Sequence, residues 1–368
     1  MSQDDQAAIQ RIQDGQAWAD FCDRLKAAGQ SVLEASPDDD LDRAEGFRYL
    51  SRLTSTFLGN ATADPMPAVT ALRPMGAKIG LDNPDYVYFN VPLDHRHEYI
   101  VRGHMGDAHL IGFGTFSGGL GTPEGLIRDG YLESTQLELG PEGQFEIHLG
   151  PEKGENPNWL PMKDKTNSIQ IRQTLLERAR QRPGPIELER LGESPPVPPL
   201  DPARFASILD RAGGIVAGTV GQFLGWTKDF AAHPHEIRPL DPALMTFAQG
   251  DPNTSYNYGY WELEEGEAFV IEFTPPECEY WILQIGNHWL ESFDFMHRNT
   301  HVNHHTAVAD NKGLVRVVIS ASDPGRPNWL DTAGHRRGAL ALRWVGANEE
   351  PQTHTRVCSM ESLNEIVD

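Results

Sequence analysis

Five of the chain's 14 histidines fall between Asn287 and His305, and the same stretch holds Glu291, Asp294, Arg298, Asn299 and Asn303. Imidazole is the side chain best suited to proton transfer near neutral pH and the commonest metal ligand. Chemistry is therefore expected here first. One reading makes His301, His304 and His297 acid–base groups, with Asp294 orienting a histidine and Arg298 holding an anion or oxyanion. A second is a metal site. His297 and His301 share a face on either a helix or a strand, but the spacing matches no signature such as His-Glu-x-x-His, and no residue is assigned as a metal ligand. The third is structural, with Asn and His side chains satisfying backbone groups along a polar loop.

A weaker counterpart precedes it: Asp94-His95-Arg96-His97-Glu98, then Arg102, His104 and His109. A solvated turn is the plain reading. The functional one brings Arg102 and His104 to the same cleft as the later cluster. Tyr256, Tyr258 and Tyr260 alternate, so one strand face would be phenolic. Such a face either packs in a sheet or lines an apolar pocket with hydroxyl handles, suited to an aromatic or polyol-like ligand. Tyr258, Tyr280, Trp289, Arg102 and His104 are the expected substrate-binding residues. The glycine runs at 112–121 contain no dinucleotide fingerprint and no Gly-Lys-Ser/Thr, and the chain has no Gly-x-Ser-x-Gly elbow. A flexible loop over a cleft is expected there, and no motif implies a cofactor.

These residues need elements to hold them. Trp18, Phe21, Cys22 and Leu25 form one helical stripe. Ser36-Pro37-Asp38-Asp39 reads as the start of a second helix, capped by Ser36 and ending near Gly59-Asn60. From about residue 68 the pattern turns to strands: 86–89, 98–103, 109–114, 145–149, 168–176 and 186–191. Ser194-Pro195-Pro196-Val197-Pro198-Pro199 reads as a stiff linker, followed by a helix over 202–232. Strands return at 267–273, 279–285, 314–320 and 339–345. The expected division is a helical segment 1–65, a first β-unit 66–193, a linker and helix 194–235, and a second β-unit 236–368.

The two β-units carry one repeated signature. Pro157-Asn158-Trp159-Leu160 recurs as Pro327-Asn328-Trp329-Leu330. Each follows a strand, and each leads to an apolar-x-apolar-Arg run, Ile169-Gln170-Ile171-Arg172 and Leu340-Ala341-Leu342-Arg343. One β-unit used twice is the expectation. Its tryptophans would cap a core. Its arginines would point away from that core, to solvent or into a cleft.

With these residues in view, the chain resembles the bacterial family known as domain of unknown function 1214. The resemblance rests on residues 323–335, Asp-Pro-Gly-Arg-Pro-Asn-Trp-Leu-Asp-Thr-Ala-Gly-His, and the strand ending Arg343-Trp344. Asn287-His288-Trp289-Leu290-Glu291-Ser292 supports it, as does Tyr99-Ile100-Val101-Arg102-Gly103 more weakly. It spans about residues 45–346 and is strongest in the second half. It implies β-sandwich-like units with helical additions, and it brings no catalytic residues.

The fold class expected is α+β, dominated by antiparallel sheet, with two duplicated sandwich-like units and helices at the N-terminus and between the units. Composition narrows the function. With 31 Lys+Arg against 53 Asp+Glu the net charge is −22, which argues against nucleic acid and against an anionic membrane as partners. Three scattered cysteines, no secretory leader and no membrane-length apolar run point to the cytoplasm. The leading expectation is a cytoplasmic catabolic enzyme using His-based acid–base chemistry on a small aromatic or polyol-like molecule, its lyase or hydrolase type open. The alternatives are a non-catalytic small-molecule-binding protein and a metal-dependent enzyme built on the His cluster. A small-molecule ligand is the expected partner, and a homo-oligomer is allowed.

Overall fold

The computed structural model of the chain describes residues 2–193, 196–245 and 248–363. Ser194 and Pro195, which open the expected linker, lie outside the described residues, as do the last five residues of the expected second unit.

Three helices come first: α1 (Gln3–Gln13), α2 (Gln16–Ala35) and α3 (Asp40–Thr62). Gly15 breaks α1 from α2 at φ 79°, a conformation that glycine adopts without strain. The cap of α3 is Asp39, whose side chain accepts from the amides of Leu41 and Asp42. Ser36 caps nothing there, because the helix begins four residues after it, at Asp40. A carboxylate next to the first turn satisfies two orphan amides and complements the helix dipole, which outweighs the Ser-Pro pattern.

The first β-unit contains β1 (Val69–Ala71), β2 (Tyr86–Pro92), β3 (Tyr99–His104), β4 (Leu110–Gly118), β5 (Leu126–Glu133), β6 (Gln144–Gly150), β7 (Trp159–Pro161), β8 (Thr166–Thr174) and β9 (Ile186–Arg190). The 30-residue helix α4 (Pro202–Ala231) follows, then β10 (Ile237–Pro239) and the short α5 (Pro242–Met245). The second unit continues with β11 (Thr254–Glu262), β12 (Glu267–Phe273), β13 (Tyr280–Ile285), β14 (His301–Asn303), β15 (Val315–Ser320), β16 (Trp329–Asp331), β17 (Arg337–Val345) and β18 (His354–Ser359).

The four sheets pair off by topology. The first unit has sheets ordered β2-β8-β4-β5 and β1-β9-β3-β6-β7; the second has β10-β11-β17-β13-β14 and β16-β15-β12-β18. Apart from the added edges β1 and β10, each order in the first unit becomes its counterpart in the second when every strand number rises by nine. The expected α+β, sheet-dominated class holds. All pairs are antiparallel except β6–β7 and β15–β16, which are parallel in both units. Strand alternation sends one set of side chains between the two sheets of each unit. Val87, Phe89, Val101, Ile111, Phe113, Ile147, Ile169 and Ile171 fill the first core. Trp261, Phe269, Ile271, Phe273, Leu283, Val317, Leu340 and Trp344 fill the second.

The repeated Asn-Trp turns match bond for bond. Asn158 Oδ1 accepts from Glu138 N, and its Nδ2 donates to the carbonyls of Glu138 and Glu146. Asn328 does the same with Val308 and Arg316, at the same sequence offsets. Trp159 Nε1 donates to Gly150 O at 3.2 Å, and Trp329 Nε1 to Ser320 O at 3.1 Å. Both tryptophans tie a turn to the neighbouring strand and are only partly buried.

Helix α4 binds the assembly together. Phe223, Trp226 and Phe230 pack on the outer face of the second unit, against Tyr258, Tyr260, Ala339 and Ala341. Val216 and Val220 meet Val32, Tyr49, Leu53 and Trp289, so α4 is sandwiched between the β11–β17 face and the N-terminal helices. Near its start, Arg11 and Arg24 both reach Asp210, at 2.8 Å each. No helix among the described residues is long and apolar enough to cross a membrane.

Candidate functional site

The strands β8 and β17 are topological equivalents, and each carries its arginine on the face turned away from its own core. Ile169 and Ile171 point inward while Ser168, Gln170 and Arg172 point outward; Leu340 and Leu342 point inward while Arg343 points outward. Both arginines line one cavity of about 350 Å³ between the units, at the lower end of the range for small-molecule pockets. The cross-strand neighbour of Arg172 is Tyr88, and that of Arg343 is Tyr256. Each guanidinium lies over that ring, at 5.9 Å and 5.8 Å from the centroid.

Apolar walls close the cleft. Phe57 of α3, Phe223 and Trp226 of α4, and Ile79 and Leu81 of the segment before β2 all line it. Gly118, Gly119 and Leu120 cover part of it, so the glycine run does sit over a cleft. That loop presses against α4 backbone to backbone. A Cβ on Gly218 would stand 1.9 Å from Gly121 O, so only glycine permits the approach.

The two arginines differ in charge balance. Arg172 pairs with Asp251, a buried carboxylate. Burial opposes the guanidinium charge, and Asp251 together with Tyr256, Tyr88 and Tyr86 more than offsets it. Arg343 is 5 % exposed. Its Nη2 donates to Leu81 O and to Tyr258 Oη, the latter at 3.3 Å, and its Nη1 faces Gln284 Oε1 at 3.4 Å. Its Nε has no hydrogen-bond partner, and no carboxylate pairs with it among the described residues. Among the described residues the only other charged one lining the cleft is Asp82, whose two oxygens accept from Ser292 N and Oγ at 2.9 and 2.8 Å. Burial raises the pKa of Tyr86, Tyr88 and Tyr256, so these phenols stay neutral.

The histidines expected to act together are dispersed. His297 and Asp294 form an exposed pair at 2.9 Å. Arg298 is exposed and bound to Asp331 at 2.6 Å. His305 pairs with Glu177 at 3.0 Å on the surface. His301 Nε2 stands 3.1 Å from Asp85 Oδ1, and that buried carboxylate also accepts from Tyr280 Oη and Asn303 Nδ2. His304 lies edge-on to Tyr280 and 5.2 Å, ring to ring, from His109. Burial, then the charge of His109, lowers its pKa. None of these histidines lines the cleft. His301 lines a separate groove with Arg178, Phe295 and Arg298. Asp294 therefore orients His297 alone, on the surface, and the expected five-residue constellation is not assembled.

Of the expected binding residues, only Tyr258 reaches the cleft. Tyr280 is buried and spent on Asn83 and Asp85 at the junction of the units. Trp289 is core: its indole donates to Asp42 O at 2.7 Å and lies over Gly46, where an added Cβ would sit 2.5 Å from the ring. Arg102 sits on the outer face of β3, bound to Glu146 and Glu189. His104 Nδ1 accepts from Gly106 N in a turn. Both belong to the sheet opposite the cleft-lining one, which is why alternation could not bring them in.

The Asn287–Ser292 stretch proves to be a clamp for α3. Asn287 Nδ2 donates to Glu45 and Glu291, Arg52 donates to Glu291 at 2.6 Å, and His335 pairs with Glu45 at 2.8 Å. Burial works against both charges of the Glu45–His335 pair, yet the partners hold Glu45 below and His335 above their usual ranges. His288 receives a hydrogen bond from Tyr260 Oη at 2.7 Å, and burial pushes its pKa down to about 4. No group of three or more His, Cys, Asp or Glu among the described residues is arranged to hold a metal ion. All three cysteines are free.

Sequence reasoning missed Tyr86, Tyr88, Phe223 and Trp226 as neighbours in one cleft, and Asp251 as the partner of Arg172. The signal that pointed there was the arginine closing the same apolar-x-apolar run in both halves.

No family model matches the chain, and no curated protein does. Among solved structures, an uncharacterized protein of Burkholderia cenocepacia is 39 % identical, with a TM-score of 0.91 over 96 % of this chain and 100 % of that one. A protein of Vibrio parahaemolyticus is 14 % identical, with a TM-score of 0.46 over 84 % of this chain and 98 % of that one. A third, described as a secreted protein of Parabacteroides distasonis, is 9 % identical with a TM-score of 0.22, over 78 % and 85 %.

Proposed function

The chain belongs to the same family as the Burkholderia cenocepacia protein, and for this member we propose a small-molecule-binding function seated in the cleft between the two β-units. The observation that carries it is the enclosure of two guanidiniums and the phenols beside them within one apolar-walled cavity. Burying a charge costs several kcal/mol unless something compensates it. A fold that places such groups around a cavity of ligand size, rather than on its surface, is arranged to meet a ligand. The resemblance to domain of unknown function 1214 is kept as a proposal, on residues 287–292 and 323–335. Internal duplication of one β-unit is likewise proposed, on the repeated strand order and the repeated Asn-Trp turns. A cytoplasmic setting is proposed on the three free thiols.

Acid–base catalysis is supported by one observation, the pairing of His301, which lines its own groove, with the buried Asp85. The nitrogen of His301 turned away from Asp85, Nδ1, is shielded from solvent and has no partner. The binding reading is therefore the better supported. Nile red, a neutral apolar dye, tests it. It should bind saturably at one site, and Gln170→Trp, which fills the cleft from β8, should abolish the signal. Absence of saturable binding, or binding indifferent to Gln170→Trp, refutes the reading.

A further inference from the structure

We infer that the cleft takes a monoanion, a carboxylate on an aromatic or aliphatic body, with the carboxylate received by Arg343 and the body by Phe57, Phe223 and Trp226. This rests on the small-molecule reading above and names the ligand class for that site.

The argument is one of charge. Three charged side chains among the described residues line the cleft. Arg172 is neutralised by Asp251, and Asp82 is engaged with Ser292 and lies in the field of Lys78. Arg343 is left as a buried cation facing only neutral groups: a carbonyl, an amide oxygen, a phenol and two aromatic rings. Aromatic faces and neutral acceptors soften a cation without cancelling it. A guanidinium does not deprotonate in proteins, so neutralisation cannot come from losing the proton. The guanidinium keeps donor capacity at Nη1, whose one hydrogen bond, to Gln284 Oε1, is long at 3.4 Å, and a carboxylate accepts from such a charged donor more strongly than a neutral acceptor does. One uncompensated positive charge calls for one negative charge. The remaining walls are apolar rings, with Asn60, Asn90 and Gln170 as neutral polar points, so the rest of the ligand is uncharged.

The test is displacement of Nile red by 2-naphthoate and by 2-naphthamide, which share a body and differ in charge. Naphthoate should bind about ten- to a hundred-fold tighter, the range of a charge-assisted hydrogen bond over a neutral one. Arg343→Gln should remove that preference while leaving naphthamide affinity within a few-fold. Should the Gln variant not fold, Arg343→Lys keeps the charge and loses the planar guanidinium; it should weaken naphthoate about ten-fold and change naphthamide far less. Equal displacement by the two compounds, or by neither while Nile red binds, overturns the anion inference and leaves the binding reading standing. A preference that survives in the Arg343 variants overturns the assignment to Arg343. Failure of Nile red to bind at all removes the binding reading itself, and the inference with it.

Discussion

Asp42 should be more stabilising as asparagine than as aspartate, and only at the higher end of the pH range. It sits in the first turn of α3 at 3 % exposure, and its Oδ1 has no partner. Its backbone does the structural work: the amide is capped by Asp39 at 3.1 Å, and the carbonyl accepts from Trp289 Nε1. Both survive Asp42→Asn. Burial, aided by Asp39 and Glu45 and opposed by His335, pushes the carboxyl from 3.8 up to about 6. A folded-state value above the unfolded one means that the fold disfavours the carboxylate. The penalty is absent below about pH 4, grows between 4 and 6, and is complete above 6. At ~1.36 kcal/mol per pH unit it reaches about 3 kcal/mol. Loss of a negative charge near a helix N-terminus returns about 0.5–1 kcal/mol. Asp42→Asn should therefore stabilise by about 2 kcal/mol at pH 8 and by no more than about 0.5 kcal/mol at pH 4.5. Urea unfolding of both proteins at pH 4.5, 6 and 8 measures this. A destabilisation of equal size at all three pH values would refute the reasoning, since it would mean that Asp42 acts through a contact rather than through its ionisation.

Asp251→Asn should cost about 3–5 kcal/mol by stranding the Arg172 charge, and an added Arg172→Met should recover most of it; chemical denaturation of the single and double variants reads the coupling. Asn158→Ala and Asn328→Ala each delete three hydrogen bonds to matched partners and should each cost about 2–4 kcal/mol. Asn328 holds φ at 57°, where alanine is strained, so its substitution should cost about 1 kcal/mol more than that of Asn158; thermal melts of the two variants side by side decide this.

Much of the frame was legible because its cause is local. Strand 267–273 was read to the residue, since alternation and β-branching announce a sheet whatever surrounds it. The recurrence of Pro-Asn-Trp-Leu was legible because Asn158 and Asn328 each satisfy backbone groups at matching offsets. β5 was not read. Its sequence Leu-Ile-Arg-Asp-Gly-Tyr-Leu-Glu lies half-buried at a sheet edge, and its interior glycine and charges break the pattern. The site was read in part. Arg172 and Arg343 were seen to leave the core, and their role depended on which surface met them. That surface is supplied by α3 and α4 across long sequence separations, and no spacing reports it. The histidines misled for a related reason. Density in sequence is not convergence in space: strand β14 turns His301 toward Asp85, while the loops on either side carry His297 and His305 to the surface.

The cleft combines a repeated architecture with an unrepeated charge. Its two halves come from the same strand order, yet Asp251 silences one arginine and no carboxylate among the described residues silences the other. The cavity thus has a head and a tail. A compound carrying identical groups at both ends would gain nothing from the second half, and any occupant must lie in a single orientation. Analogues altered at the end near Arg343 should be rejected sharply, while those altered near Arg172 should be tolerated. A structure–activity series would read as steep along one direction of the molecule and flat along the other.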